Sequence, residues 1–207
     1  MKLETPLMTT SNAHINIAIF ASGAGSNAQQ IITHFKGSDK VKVALVVCNK
    51  PGAGVLGIAE REGVPTLLIE RERFLRGDGY LPELQAAGIG FIVLAGFLWK
   101  IPQSLIDAYP RRIVNIHPAL LPRYGGKGMY GHYVHEAVLS NGDVQSGITV
   151  HYVDEHYDNG DIIFQTACPV LEGDTPEVLA ARIHQLEHLH YPQVIEELLT
   201  GTRTRQS

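Results

Sequence analysis

A chain of 207 residues, 44% hydrophobic and 18% charged, can bury one sizeable core and reads as a single domain. Its formal net charge of −4 gives no general electrostatic pull toward nucleic acid or an anionic membrane. The longest apolar run, residues 91–99, falls short of the roughly 20 residues a membrane-spanning helix needs, and no secretory signal is visible, so a cytoplasmic location is expected.

Residues 1–14 read as a loose extension ahead of a single domain over 15–200, with 201–207 a flexible tail. The first predicted strand covers 15–21. A glycine turn, Ser22-Gly-Ala-Gly-Ser-Asn27, leads into a helix toward Phe35. A second strand is expected at 41–48, a helix at 54–62 and a third strand at 66–69. Between 70 and 87 the helical pattern is polar and interrupted. There Arg71, Arg73 and Arg76 alternate with Glu70, Glu72 and Asp78, which reads as a mixed solvated face. Residues 91–95 are apolar without alternation, as in a strand covered on both faces. A short helix near 104–108 precedes a strand ending at His117.

After Pro122 the pattern changes. A glycine-rich loop occupies 124–132, helical spacing follows at 133–139, and strands are expected at 148–153 and 162–167. Thr175 fits a helix N-cap and Pro176 the first helical position, opening a helix toward Leu199 that Pro192 is expected to kink. Cys48 and Cys168 sit in apolar strand-like runs with no metal-ligand spacing, so two buried free thiols are expected. The β-α-β alternation predicts an α/β fold, a doubly wound, mostly parallel Rossmann-like sheet with helices on both faces. Ligands of such sheets bind at the carboxyl ends of the strands, where the strand order reverses.

Two strand ends carry chemistry. Gly23-x-Gly25-x-x-Ala28 fits the loose dinucleotide turn, but the second strand ends in Cys48-Asn49-Lys50, with no acid to hold a ribose. Three readings remain: a dinucleotide turn, a turn with no ligand, and an anion site on the backbone N–H groups of Gly25, Ser26 and Asn27 at a helix N-terminus. The Ser22 and Ser26 hydroxyls favour the last. At the other strand end, Asn115 and His117 alternate with Val114 and Ile116 and therefore share a face, and Pro118 ends the strand. A carboxamide and an imidazole there can donate to an oxyanion and move a proton; they can equally be two satisfied polar groups. Asp158, ahead of the turn formers Asn159 and Gly160, could present a carboxylate to His117 and raise its pKa.

Taken in order, Ser22-Gly-Ala-Gly-Ser-Asn27, Val93-Leu-Ala-Gly-Phe97, Asn115-Ile-His-Pro-Ala-Leu-Leu-Pro122, Gly147-Ile-Thr-Val-His151 with Asp158, and Glu187-His188 with Tyr191-Pro192 span residues 15–197. This set resembles the folate-dependent formyltransferases and, within them, the glycinamide ribonucleotide branch. The resemblance implies formyl transfer from 10-formyltetrahydrofolate, used as a co-substrate without a metal, to the amine of glycinamide ribonucleotide in purine (IMP) biosynthesis. It implies Asn115, His117 and Asp158 as the catalytic trio, with Asp158 holding His117 protonated. It implies Gly25, Ser26, Asn27 and Glu187 as ribonucleotide contacts. Arg71 (with Arg73 a rival), Leu98, Trp99, Lys100, Ile101 and Asn115 would meet the folate, and the loop 153–158 would enclose its pterin ring. Small-molecule substrates are the expected partners, with no nucleic acid and no membrane; monomer and homodimer both remain open. Trp99 and His184 depart from residues common in the family, and the loop 124–132 is longer than usual and reads either as a flap near the ribonucleotide or as a longer surface loop.

Overall fold

The computed structural model describes residues 14–76 and 80–201. Apart from His14 and Gly201, the expected extension and tail lie outside the described residues.

The apolar runs become strands because their β-branched side chains pack on a pleated surface covered on both sides. β1 (Ile15–Ala21), β2 (Val41–Cys48), β3 (Thr66–Leu68), β4 (Ile89–Leu94) and β5 (Ile113–His117) run parallel. β6 (Gln145–Tyr152) and β7 (Ile162–Pro169) are added antiparallel, giving the order β3-β2-β1-β4-β5-β6-β7 among the described residues. The α/β class and the mostly parallel sheet are as expected.

Two cores flank the sheet. Ile17, Ile19, Val46, Val93, Val114 and Ile148 face one of them. Buried residues of α1 (Ser26–Phe35), α2 (Gly54–Arg61), α6 (His132–Ser140) and α7 (Pro176–Thr200) cover that face. Ala18, Phe20, Val47, Ile92 and Ile113 face the other, against α3 (Arg71–Leu75), α4 (Leu81–Ala86) and α5 (Gln103–Ala108). The interrupted stretch 70–87 thus resolves into two short helices. There Arg73 pairs with Glu83 and Arg76 with Glu72, which supports the solvated-face reading.

α7 begins as its sequence dictates. The Thr175 hydroxyl accepts the Val178 N–H, and Pro176 occupies the first turn. Its buried stripe, Leu179, Ile183, Glu187 and Tyr191, follows the four-residue helical step. The helix is continuous through the expected kink at Pro192. Tyr191, fully buried, donates its hydroxyl to the carbonyl of Leu94 (2.8 Å) and reaches that of Val114 (3.3 Å), pinning α7 beneath the ends of β4 and β5. Both cysteines are free and buried. No helix among the described residues is long and apolar enough to cross a membrane.

Candidate active site

The order reverses between β1 and β4, so the crevice lies outside the carboxyl ends of β1, β4 and β5. The turn after β1 supplies one wall. Gly25 caps α1 with φ 85°, and a Cβ there would lie 2.7 Å from the Val55 Cβ, so only glycine fits. The turn is held from α2, whose Val55 N–H donates to the Gly23 carbonyl (3.2 Å). The N–H groups of Gly25, Ser26 and Asn27 fall in the first turn of α1, where no preceding carbonyl can serve them. The Asn27 amide donates to Glu187 (2.8 Å), which is 6% exposed. Burial pushes the Glu187 carboxyl above its usual range. It is therefore a buried component of the crevice, not a solvated helix carboxylate.

Ser22 is buried, and its hydroxyl accepts the Leu98 N–H (3.0 Å) while its own N–H donates to Gly96 (3.0 Å). It ties the glycine turn to the segment after β4. In that segment Leu98 and Lys100 are exposed. Trp99 joins Phe74 and Phe97 in an aromatic cluster, and Ile101 is buried in the core. Ile101 can therefore meet a ligand only through its main chain. Arg73 is engaged by Glu83 and stacks over Tyr80 at 4.3 Å, whereas Arg71 has no charged partner among the described residues.

β5 delivers Asn115 and His117 to one face, as the alternation requires. Antiparallel pairing sets His151 of β6 directly opposite Asn115, and Thr149 opposite His117. The Asn115 amide reaches His151 Nε2 at 3.1 Å and Asp158 Oδ1 at 3.4 Å. Asp158, in the β6–β7 connection with φ 52°, accepts the Gly126 N–H (3.0 Å) and places Oδ2 3.5 Å from His117 Nδ1. The structure therefore brings Asn115, His117 and Asp158 together. The segment after His117 is fixed from below: the Thr149 hydroxyl donates to Ala119 (2.6 Å) and accepts from Leu121 (3.0 Å), and Gln165 donates to Leu121 (2.9 Å).

One feature of this cluster escaped the sequence. His151 belongs to it; the Gly-Ile-Thr-Val-His run signalled the strand, but its cross-strand partner is set by register. The loop 124–132 is also built into the site, through the Gly126 N–H and the Tyr124 carbonyl, which accepts from His117 Nε2 at 2.7 Å.

That bond decides the chemistry of His117. A carbonyl can only accept, so Nε2 carries a proton, while Nδ1 faces the Asp158 carboxylate. Burial lowers the His117 pKa, outweighing the raising influence of Asp158 and the Tyr124 carbonyl. The expectation of a raised pKa is corrected in direction: the ring is 3% exposed, and desolvation is the largest influence. Burial also pushes Asp158 upward, but the His151 hydrogen bond, the neighbouring His117 and the Gly126 N–H bring it below its ordinary value, so it is ionised.

The profile of the formyl transferase family matches residues 15–195. The chain belongs to the formyl transferase family. The phosphoribosylglycinamide formyltransferase of Bacillus subtilis is 40% identical over 187 residues, covering 88% of this formyl transferase and 93% of that protein. The chloroplastic phosphoribosylglycinamide formyltransferase of Arabidopsis thaliana is 44% identical over 185 residues, 86% of this chain but 63% of the plant protein's length. The crystal structure of glycinamide ribonucleotide transformylase 1 from Geobacillus kaustophilus superposes with a TM-score of 0.82 at 40% identity, covering 90% of this chain and all of that one (100%).

Proposed function

We propose that this formyl transferase moves the formyl group of 10-formyltetrahydrofolate to the amine of glycinamide ribonucleotide, a step of purine (IMP) biosynthesis. The single observation that carries the reading is the convergence of Asn115, His117 and Asp158 at the carboxyl end of β5, in the parallel sheet whose β1 leads into the bare first turn of α1. The names of the relatives support the same choice of acceptor. Two buried free thiols favour a reducing compartment such as the cytoplasm.

The acceptor phosphate rests on the N–H groups of Gly25, Ser26 and Asn27, where backbone donors and the helix dipole favour an anion. Glu187, held by Asn27, faces the ribose. The folate lies along Leu98–Ile101 with its pterin under the 153–158 loop. The acceptor amine attacks the formyl carbon, a C–N bond forms and the carbonyl electron pair moves onto oxygen. The Asn115 amide donates to that oxyanion, exchanging its long 3.4 Å bond to Asp158 for a charged acceptor. The amine proton passes to His117 Nδ1, where Asp158 receives it as one half of an ion pair. Because burial makes the imidazolium a stronger acid than usual, it releases the proton readily to the folate nitrogen as the C–N bond to the donor breaks.

The test is formyl transfer from 10-formyltetrahydrofolate with and without glycinamide ribonucleotide. Acceptor-dependent consumption of the donor supports the reading. Consumption without acceptor would replace it with hydrolysis of the same donor.

Two further results are expected. The form of His117 that can accept a proton is the neutral one, and its pKa lies below 6.5. The acid limb of the kcat profile should therefore lie on the acid side of that of an ordinary histidine, with activity lost as pH falls through the lowered value; an acid limb centred above pH 7 would contradict it. Arg71→Ala should raise KM for the folate about 10-fold, the range for losing one charged hydrogen bond. Arg73→Ala, whose guanidinium already serves Glu83, should leave KM nearly unchanged.

A further inference from the structure

The sheet sets three polar side chains in one row. Antiparallel register places Thr149 of β6 opposite His117 of β5 on one side and opposite Gln165 of β7 on the other. Cross-strand partners point to the same face, so all three share the face that carries the catalytic cluster. Thr149 is fully buried, and its hydroxyl makes every hydrogen bond a hydroxyl can. It donates to the Ala119 carbonyl (2.6 Å) and accepts from the Leu121 N–H (3.0 Å) and the Gln165 amide (2.8 Å). The Gln165 amide nitrogen also donates to the Leu121 carbonyl (2.9 Å). Among the described residues, none of these three main-chain groups of Ala119 and Leu121 has a main-chain partner. The segment they belong to, 118–126, leaves the cluster at His117 and returns to it twice. The Tyr124 carbonyl meets His117 Nε2 at 2.7 Å, and the Gly126 N–H donates to Asp158 Oδ2 (3.0 Å).

We infer that Thr149 and Gln165 are positioning residues for His117 and Asp158: through Ala119 and Leu121 they set the course of segment 118–126, and with it the places of the Tyr124 carbonyl and the Gly126 N–H. Neither side chain needs to touch a substrate. The strand alone does not call for a hydroxyl at 149. Valine matches threonine in shape and suits a strand as well, but it would leave the Ala119 carbonyl and the Leu121 N–H without their partner in a buried place. Nor does an edge strand call for a glutamine that turns its amide inward. Both side chains are accounted for by the segment they hold. A satisfied buried network of this kind fixes one geometry, because each group that shifts gives up a bond it cannot remake with water. The inference rests on the roles proposed for His117 and Asp158.

The experiment compares Thr149→Val, Thr149→Ser and Gln165→Met with Phe35→Leu, a core change at the last residue of α1, away from the cluster. It reads hydrogen exchange of the Gly126 N–H in the ligand-free full chain, the melting temperature, and kcat with both KM values. Thr149→Val and Gln165→Met should speed Gly126 exchange at least about tenfold, because its bond to Asp158 opens more often. They should lower kcat about 10- to 100-fold, the effect of displacing reacting groups by up to about 1 Å, with KM for the ribonucleotide nearly unchanged. Thr149→Ser retains the hydroxyl and should keep the Gly126 protection and most of kcat. Phe35→Leu should lower the melting temperature and leave both readouts at wild-type values. If Thr149→Val does not fold, Gln165→Met on the edge strand carries the same comparison. Wild-type Gly126 exchange and kcat in the Val and Met variants would overturn the inference. Losses in Phe35→Leu equal to those in Thr149→Val would do so too, since the bonds would then serve stability alone. Gly126 exchange needs no turnover, so an inactive wild type would remove the formyl-transfer reading while the hold on the segment is still decided.

Discussion

His117→Ala and Asp158→Ala should each lower kcat for formyl transfer by about 10²–10⁴-fold, the usual worth of a positioned acid–base group. Binding of glycinamide ribonucleotide should stay close to that of wild type. The two residues lose the same step for different reasons. Alanine at 117 removes the nitrogen that takes the proton. Alanine at 158 leaves that nitrogen in place but removes the carboxylate 3.5 Å away that receives the imidazolium. It also removes the acceptor for the Gly126 N–H and a partner of the Asn115 amide, so part of its loss is positional. Losses from the pair should be far from additive. The phosphate turn stands on α1, a separate element, which is why acceptor affinity should survive. Steady-state kinetics with calorimetric titration of the ribonucleotide separate the two; near-normal kcat in either variant would remove His117 or Asp158 from the mechanism.

Gly25→Ala should produce the reverse pattern, with acceptor binding lost and the catalytic cluster intact. At φ 85° an alanine is strained, and its Cβ would stand 2.7 Å from the Cβ of Val55 and 2.8 Å from its Cα, which is backbone and cannot swing aside. The turn must open, and the N–H groups of Gly25, Ser26 and Asn27 then no longer converge. Strain of this kind costs about 1–3 kcal/mol, so a lower melting temperature is expected together with a rise of at least about tenfold in Kd for the ribonucleotide, the loss of roughly 1.4 kcal/mol or more of binding. Ser26→Ala, which keeps the backbone donors, should change Kd far less. A Gly25→Ala protein with wild-type affinity would show that the turn does not hold the acceptor.

Most of the fold was readable from the order of residues. Apolar runs of strand length separated by amphipathic segments specify a parallel sheet, and Thr175-Pro176 specify where the last helix begins. The site was readable where one element carries it. Asn115 and His117 share a face because of the period of a strand, and the Gly25 turn is set by the conformations glycine allows. What stayed hidden depends on which groups meet. His151 enters the cluster because antiparallel register sets it against Asn115. Ser22 accepts the Leu98 N–H because the segment after β4 passes within hydrogen-bond reach.

The charge state of His117 marks the division most sharply. Residue types alone suggested an imidazole beside a carboxylate, hence a raised pKa. The tertiary structure reverses the sign, because it buries the ring to 3% exposure. By itself the sequence determined the elements, their order, the glycine turn and the polar pair on β5, since these follow from local periodicity and backbone sterics. Only the tertiary structure decided the burial, the direction of the pKa shift and the partners of that pair, since desolvation and hydrogen bonding depend on groups far apart in the chain.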